Sequence, residues 1–93
     1  MLTVVVEMFG LPEDVTSEPK VEVSLKDNAS LTDIVAALRR KVPALEGTVI
    51  EHVRDRLLDQ FGFYVNGSCY TSEETVQLKK GDRIVLLALA TGG

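Results

Sequence analysis

Apolar and polar positions alternate along two segments in the first third of the chain. Residues 2–9, LTVVVEMF, are rich in β-branched side chains, and residues 20–26, KVEVSLK, place three aliphatic side chains on one face. Alternation with a period of two is typical of a half-buried strand. The segment 10–14 breaks the pattern, so the two strands are predicted to form an opening hairpin with a long loop.

The clearest helix is predicted for residues 30–42. Ser30 is a good N-cap, Asp33 follows three residues later, and Pro43 would end the helix. The three basic residues 39–41 complement the negative end of the helix dipole. Apolar side chains recur with helical spacing and form a single stripe, made of Leu31, Ile34, Val35, Leu38 and Val42.

The second half of the chain predicts a weaker helix and then three strands. The helical pattern covers residues 48–59, in Ile50, Val53, Leu57 and Leu58. Strands are predicted at 61–65 and 68–70, joined by a tight turn at Asn66-Gly67. The last strand, 83–89, is apolar on both faces, which is typical of a strand that is buried on both sides in the middle of a sheet.

This order of elements predicts a single α+β domain over residues 1–93. One amphipathic helix can cover one face of a four- or five-stranded mixed sheet, which gives two layers. A central last strand beside the first strand, with the helix across them, is a β-grasp arrangement. Residues 90–93 are then expected to form a flexible C-terminal tail.

Composition and charge limit the cellular compartment and the kinds of binding partner that we expect. The 93 residues are 45% hydrophobic and 26% charged, which is typical of a globular protein. The net charge of −4 argues against nucleic-acid and membrane partners, because both are bound by clustered Lys and Arg. The short apolar start has no preceding basic residue, so it does not resemble a signal peptide, and no run is long enough to span a bilayer. A cytoplasmic protein is expected.

Little in the sequence indicates a catalytic or metal centre. Cys69 is the only cysteine and His52 the only histidine, and no spacing of ligands suggests a metal site. Cys69 is expected to be an ordinary thiol, since reactive cysteines need a basic partner or a helix N-terminus. His52 is expected to be a solvated side chain, and no bound cofactor is predicted.

The last four residues carry the strongest functional signal. The apolar strand continues through the small residues Ala90 and Thr91 into Gly92 and Gly93, and ends at a free carboxylate. A carboxylate accepts a nucleophile only after activation, for example as an anhydride with AMP. Two residues without a Cβ form the thinnest thread that can enter a narrow enzyme channel, and glycine adopts whatever φ the channel requires. A diglycine alone is also compatible with a frayed terminus.

Several motifs together resemble the MoaD/ThiS sulfur carriers, which are relatives of ubiquitin. The similar features are the diglycine after an apolar strand, the Gly81-Asp82-Arg83-Ile84-Val85 turn into that strand, the Val65-Asn66-Gly67 turn and the opening hairpin. The resemblance spans nearly the whole chain, and its specific motifs lie within residues 63–93. Thr91-Gly92-Gly93 is similar to the end of the molybdopterin-synthase small subunit, although Ala88-Leu89 replaces the usual pair of prolines.

The resemblance implies a sulfur carrier and not a catalyst. A ubiquitin-activating-type enzyme would use ATP to adenylate the Gly93 carboxylate, and a persulfide sulfur would replace AMP to leave a thiocarboxylate. A sulfur-accepting synthase subunit would then receive the sulfur. Ala90, Thr91 and Gly92 would line the enzyme channel, and Leu87 would pack on the activating enzyme.

Other functions fit the same residues. A ubiquitin-like modifier, conjugated through Gly93 to lysines, would need the same activated tail. A β-grasp binding module with an incidental tail is a further alternative. Among carriers, the leading expectation is a molybdopterin-type pathway, while thiamine, cysteine and tRNA thiolation stay open.

Overall fold

The computed structural model describes residues 1–9, 19–71 and 74–89. Within them, five strands form one mixed sheet, and a helix packs on one of its faces. The helix α1 spans Leu31–Lys41, and a short 3-10 turn follows at Pro43–Leu45. The strands are β1 (Leu2–Phe9), β2 (Lys20–Leu25), β3 (Phe61–Val65), β4 (Ser68–Tyr70) and β5 (Ile84–Ala88).

The order of strands across the sheet is β2-β1-β5-β3-β4. The pair β1–β5 is parallel, and the other neighbouring pairs are antiparallel. The last strand of the chain therefore lies at the centre of the sheet, beside the first. This is the β-grasp arrangement, and it confirms the fold that the sequence predicts.

The core lies between α1 and one face of the sheet. The Ser30 backbone N–H donates to Asp33 Oδ2 over 2.9 Å at the start of the helix, and the Val42 N–H donates to the Leu38 carbonyl over 2.7 Å at its end. The predicted N-cap and helix end are therefore confirmed. The largest buried side chains of the helix and sheet are Leu31, Ile34, Leu38, Phe63, Ile84 and Leu86.

The central strand β5 is buried on one face only. Ile84 and Leu86 are fully buried beneath α1, whereas Val85 and Leu87 on the opposite face are half-buried. The prediction of a strand buried on both faces is wrong in this respect. The helix covers one face of the sheet, and no element among the described residues lies over the other, which we call the open face.

The weaker helix predicted for residues 48–59 is absent, and the segment forms an irregular hairpin-like loop instead. The Leu58 N–H donates to the Val49 carbonyl, and an antiparallel bridge joins Ile50 to Leu57. Both bridge residues are buried, but Val53 at the tip of the loop is 89% exposed. A helical stripe would have buried Val53 with them, so the apparent helical spacing reflects the two sides of a loop.

Arg39 holds this loop against the helix. Its guanidinium donates to Asp55 Oδ1 over 2.5 Å and to the carbonyl oxygens of Glu51 and Arg54, each over 2.6 Å. Its Nε lies 3.4 Å from Glu46 Oε1. A helix would have used those two carbonyl oxygens in its own hydrogen bonds, so the arginine stabilises the loop in place of a helix. Arg39 is thus more than a cation that complements the helix dipole.

Replacing Arg39 with Met is expected to lower the free energy of unfolding by about 1–3 kcal/mol, because two carbonyl groups lose a charged donor. Urea unfolding followed by circular dichroism measures the change. Arg40→Met, on the exposed side of the same helix, is the matched control and should change stability by less than about 0.5 kcal/mol. Equal stability of the two variants would contradict the role of Arg39.

Candidate functional site

Most of the predicted site lies outside the described residues. The site residues outside them are Ala90, Thr91, Gly92 and Gly93, and the prediction that these four are flexible also lies outside the described residues. Leu87 is described, and it lies on the open face of β5 and not in the buried core. The part of the site that the structure describes is therefore the open face and the point at which β5 leads into the tail.

Apolar side chains form a strip on the open face. It consists of Val5, Phe9, Tyr64, Val85 and Leu87, which we call the apolar strip. Phe9 is the register partner of Leu87 between β1 and β5, and Tyr64 is the partner of Val85 between β3 and β5. Phe9 is 54% exposed, Val5 41% and Tyr64 37%. The strip thus crosses the three central strands of the sheet and has the tail-bearing strand in its middle.

One carboxylate interrupts the apolar strip and is paired. Glu7 lies beside Val85 in the register of β1 and β5, and its Oε2 is 3.2 Å from a guanidinium nitrogen of Arg83. The Arg83 side chain is 72% exposed and that of Glu7 18%, and a pair with one partner in solvent contributes little to stability. Its effect on the site is to neutralise a charge that would oppose contact with an apolar partner.

A network of hydrogen bonds connects two turns near the start of β5. Asn66 and Gly67 have φ values of 52° and 89°, which confirms the predicted tight turn between β3 and β4. The Asn66 side chain donates to Asp82 Oδ1 over 3.0 Å and accepts the Arg83 backbone N–H over 2.9 Å. The asparagine therefore has two roles, in its own turn and in fixing the start of the tail-bearing strand.

The end of β5 is held by residues of the 44–60 segment and of β3. The Leu89 backbone N–H donates to the Gln60 carbonyl over 2.7 Å. Its side chain lies over Gly62, which is buried although it has no side chain of its own. The last described residue before the tail is thus attached to the sheet by its backbone and by its side chain.

The two other residues that the sequence analysis considered, Cys69 and His52, are both exposed. Cys69 is an exposed free thiol on β4, in register with Tyr64, and His52 is exposed in the loop beside Gly47. Within residues 1–9, 19–71 and 74–89, no group of three or more His, Cys, Asp or Glu could hold a metal ion. No helix in these ranges combines the length and the apolar character needed to cross a bilayer.

Sequence reasoning identified Leu87 but missed its neighbours in the apolar strip. The signal was present in β1, where Val5 and Phe9 occupy the positions that should face solvent in an alternating strand. Without the strand order, however, nothing places these residues beside Leu87. The parallel β1–β5 pairing creates the strip, and that pairing joins opposite ends of the sequence.

Comparisons with known proteins agree with this architecture. A model of the ThiS family matches residues 6–93. No curated protein sequence gives a significant match. The structure is similar to that of small archaeal modifier protein 1 (SAMP1) from Haloferax volcanii, with 25% identity, a TM-score of 0.77, and coverage of 98% of this chain and 99% of that one.

Two further structures share the fold at lower identity. One is described as a candidate molybdopterin converting factor, subunit 1, from Pyrococcus furiosus, with 17% identity, a TM-score of 0.71, and coverage of 97% of this chain and 100% of that one. The other is the BexX/CysO complex of Amycolatopsis orientalis, with 18% identity, a TM-score of 0.69, and coverage of 96% and 98%. At these identities the two comparisons establish the fold alone.

The family match covers nearly the whole chain, and the strand order, the central last strand and the single covering helix are those of the ubiquitin-like β-grasp. The family match agrees with the expectation of a small carrier-type protein and not an enzyme. The chain belongs to the ThiS family.

Proposed function

We propose that this protein is a sulfur carrier that works through the carboxylate of Gly93. A carboxylate oxygen attacks the α-phosphorus of ATP on a ubiquitin-activating-type enzyme, and pyrophosphate leaves. The terminal sulfur of a persulfide then displaces AMP from the carbonyl carbon, and a thiol cleaves the resulting disulfide to leave a thiocarboxylate. ATP is bound by the enzyme, so the carrier needs no cofactor of its own. The proposed compartment is the cytoplasm.

The apolar strip is the observation that best supports this proposal. A protein that delivers its C-terminus to successive enzymes needs a docking surface fixed relative to that terminus. The strip is centred on β5, the strand that leads into the tail, and its members on the neighbouring strands β1 and β3 are 37–54% exposed. Contiguous exposed apolar side chains of this kind typically mark a protein–protein interface.

Two successive partners would use this surface. The activating enzyme would pack on Leu87 and its neighbours while residues 90–92 line its channel. A sulfur-accepting synthase subunit would bind the same face afterwards, because the thiocarboxylate must be delivered from the same tail. One shared surface makes the two partners mutually exclusive, and this exclusion gives the cycle its order.

We assign the delivered sulfur to a molybdopterin-type pathway. The support is the similarity of Thr91-Gly92-Gly93 to the end of the molybdopterin-synthase small subunit. Segment 44–60 adds length that the thiamine carriers tend to lack. It includes the irregular loop that Arg39 holds against the helix. Molybdopterin precursor that accumulates in a gene-deletion strain, and disappears when the gene is restored, would support this assignment.

A protein modifier is the second candidate function. It is favoured by the similarity to SAMP1, which extends over 98% of this chain and whose name describes a modifier. The activated tail is common to both functions, and the difference lies in the nucleophile that displaces AMP. Sulfur gives a carrier, whereas a lysine amine, through an isopeptide bond, gives a modifier.

The intact mass of the protein from its own host distinguishes the two functions. Purification under reducing conditions without alkylation is expected to show a fraction heavier by one exchange of oxygen for sulfur, located in the C-terminal peptide. Because Arg83 is the last site for trypsin in this chain, lysine residues that carry residues 84–93 as an isopeptide-linked remnant in tryptic digests of the lysate would instead support conjugation. A single unmodified mass and no lysine that carries residues 84–93 would count against both and favour a plain binding module.

A further inference from the structure

We propose that Gly62 and Leu89 are positioning residues that fix the point from which the reactive tail begins. The inference rests on the proposed function, because it concerns delivery of the Gly93 carboxylate to the activating enzyme. It is based on the contacts that attach Leu89 to the sheet, which are separate from the apolar strip and which we call the Leu89 seat. The strip would determine whether the enzyme binds, and the Leu89 seat would determine where the carboxylate then lies.

Gly62 provides the space in which Leu89 lies. A Cβ added at Gly62 would be 3.2 Å from both terminal carbons of Leu89 and 3.3 Å from the Tyr70 carbonyl oxygen. Contacts of this length require a neighbour to give by a few tenths of an ångström. Tyr70 belongs to the paired strand β4, whereas the side chain of Leu89 is flexible, so Leu89 is the group that would move.

A second contact fixes the backbone at the same point. The Leu89 N–H donates to the Gln60 carbonyl over 2.7 Å, one residue beyond the last pair of β3 and β5. Beside the Leu89 side chain lies a cavity of about 130 Å³, lined also by Leu58 and Phe61. A displaced Leu89 side chain has room to enter this cavity, so a methyl group at Gly62 should loosen the contact that holds Leu89, and with it the start of the tail, without unfolding the sheet.

The short reach of the tail makes its starting point important. Four residues follow Leu89, and an extended chain spans at most about 3.5 Å per residue, which gives a reach of about 14 Å. A shift of a few tenths of an ångström at Leu89 therefore reaches the carboxylate unless these four residues absorb it. Misplacement of a reacting group by about 1 Å can cost on the order of a hundredfold in rate.

The test varies the carrier as substrate in ATP–pyrophosphate exchange with the ubiquitin-activating-type enzyme of the same genome. Gly62→Ala is expected to lower kcat by about 2- to 10-fold and to change KM by a smaller factor, because the side chains of the apolar strip are retained. Leu89→Ala should lower kcat by a smaller factor. In the double variant, Gly62→Ala with Leu89→Ala, kcat should rise above that of Gly62→Ala alone, because the clash is gone.

A buried variant away from the seat controls for general destabilisation. Ile34→Val in α1 should unfold more easily but keep the wild-type kcat. A wild-type kcat in both Gly62→Ala and Leu89→Ala would overturn the inference, and so would a double variant no better than Gly62→Ala. If Gly62→Ala does not fold, Leu89→Ala decides alone. No exchange with the wild-type protein would overturn the proposed function itself, and the positioning role with it.

Discussion

Removal of Gly92 and Gly93 is expected to abolish ATP–pyrophosphate exchange by the activating enzyme while leaving the fold intact. The reacting group of the proposed function is the Gly93 carboxylate, and truncation moves the terminal carboxylate back by about 7 Å. It also places Thr91, with its branched side chain, at the carbonyl that must be attacked. Loss of both reach and access should reduce the rate to background, an effect far larger than that of any single contact.

The measurement compares exchange rates of the full-length and truncated proteins at equal concentration, alongside circular dichroism and urea unfolding. Unchanged unfolding is expected, because every buried apolar side chain of the described sheet and helix lies before residue 87. A useful control appends one alanine after Gly93, which retains both glycines but moves the carboxylate away. Full exchange activity of the truncated protein would refute the carrier and the modifier proposals together.

Replacement of Leu87 with Asp is expected to weaken binding to the activating enzyme by about 30- to 1,000-fold. Leu87 lies at the centre of the apolar strip, between Phe9 and Gly62 in the register of the sheet. Central apolar residues of an interface commonly contribute about 2–4 kcal/mol, and a carboxylate at that position adds a desolvation cost. In kinetic terms the change should raise KM.

Titration calorimetry of the carrier with the enzyme measures the loss directly. Thr3→Asp is the matched control, because Thr3 lies on the same open face but beside Ser24, beyond the apolar strip. It should bind within about threefold of the wild-type protein, as expected for a substitution away from an interface. Equal affinities of the Leu87 and Thr3 variants would show that the enzyme binds elsewhere. That result would refute the docking role of the apolar strip.

The sequence predicts most of the fold because the local signals here agree with the tertiary structure. The alternating pattern of β1 and β2, the Ser30–Asp33 helix start and the Asn66-Gly67 turn each involve residues close in the chain. The apolar pattern of β5 also predicts its central place correctly, although only one face of the strand is buried. In each case one local property decides the outcome, so no knowledge of distant contacts is needed.

The errors arise where a distant contact decides the structure. The loop within residues 48–59 is held by Arg39, a residue of α1 whose role cannot be inferred from the loop's own pattern. The apolar strip requires the pairing of β1 with β5, and the Leu89 seat requires a glycine in a neighbouring strand. The function of the tail is predicted from the chemistry of its residues, and the structure shows where the strand before it ends.

The apolar strip also has a consequence for the protein when no enzyme is bound. The protein has a net charge of −4 at neutral pH, and the repulsion between molecules keeps their open faces apart. Near the isoelectric point of about 4.9 this repulsion vanishes, while the strip stays as apolar as before. Colloidal stability should therefore be lowest in mildly acidic buffer, where self-association through the sheet would compete with every physiological partner.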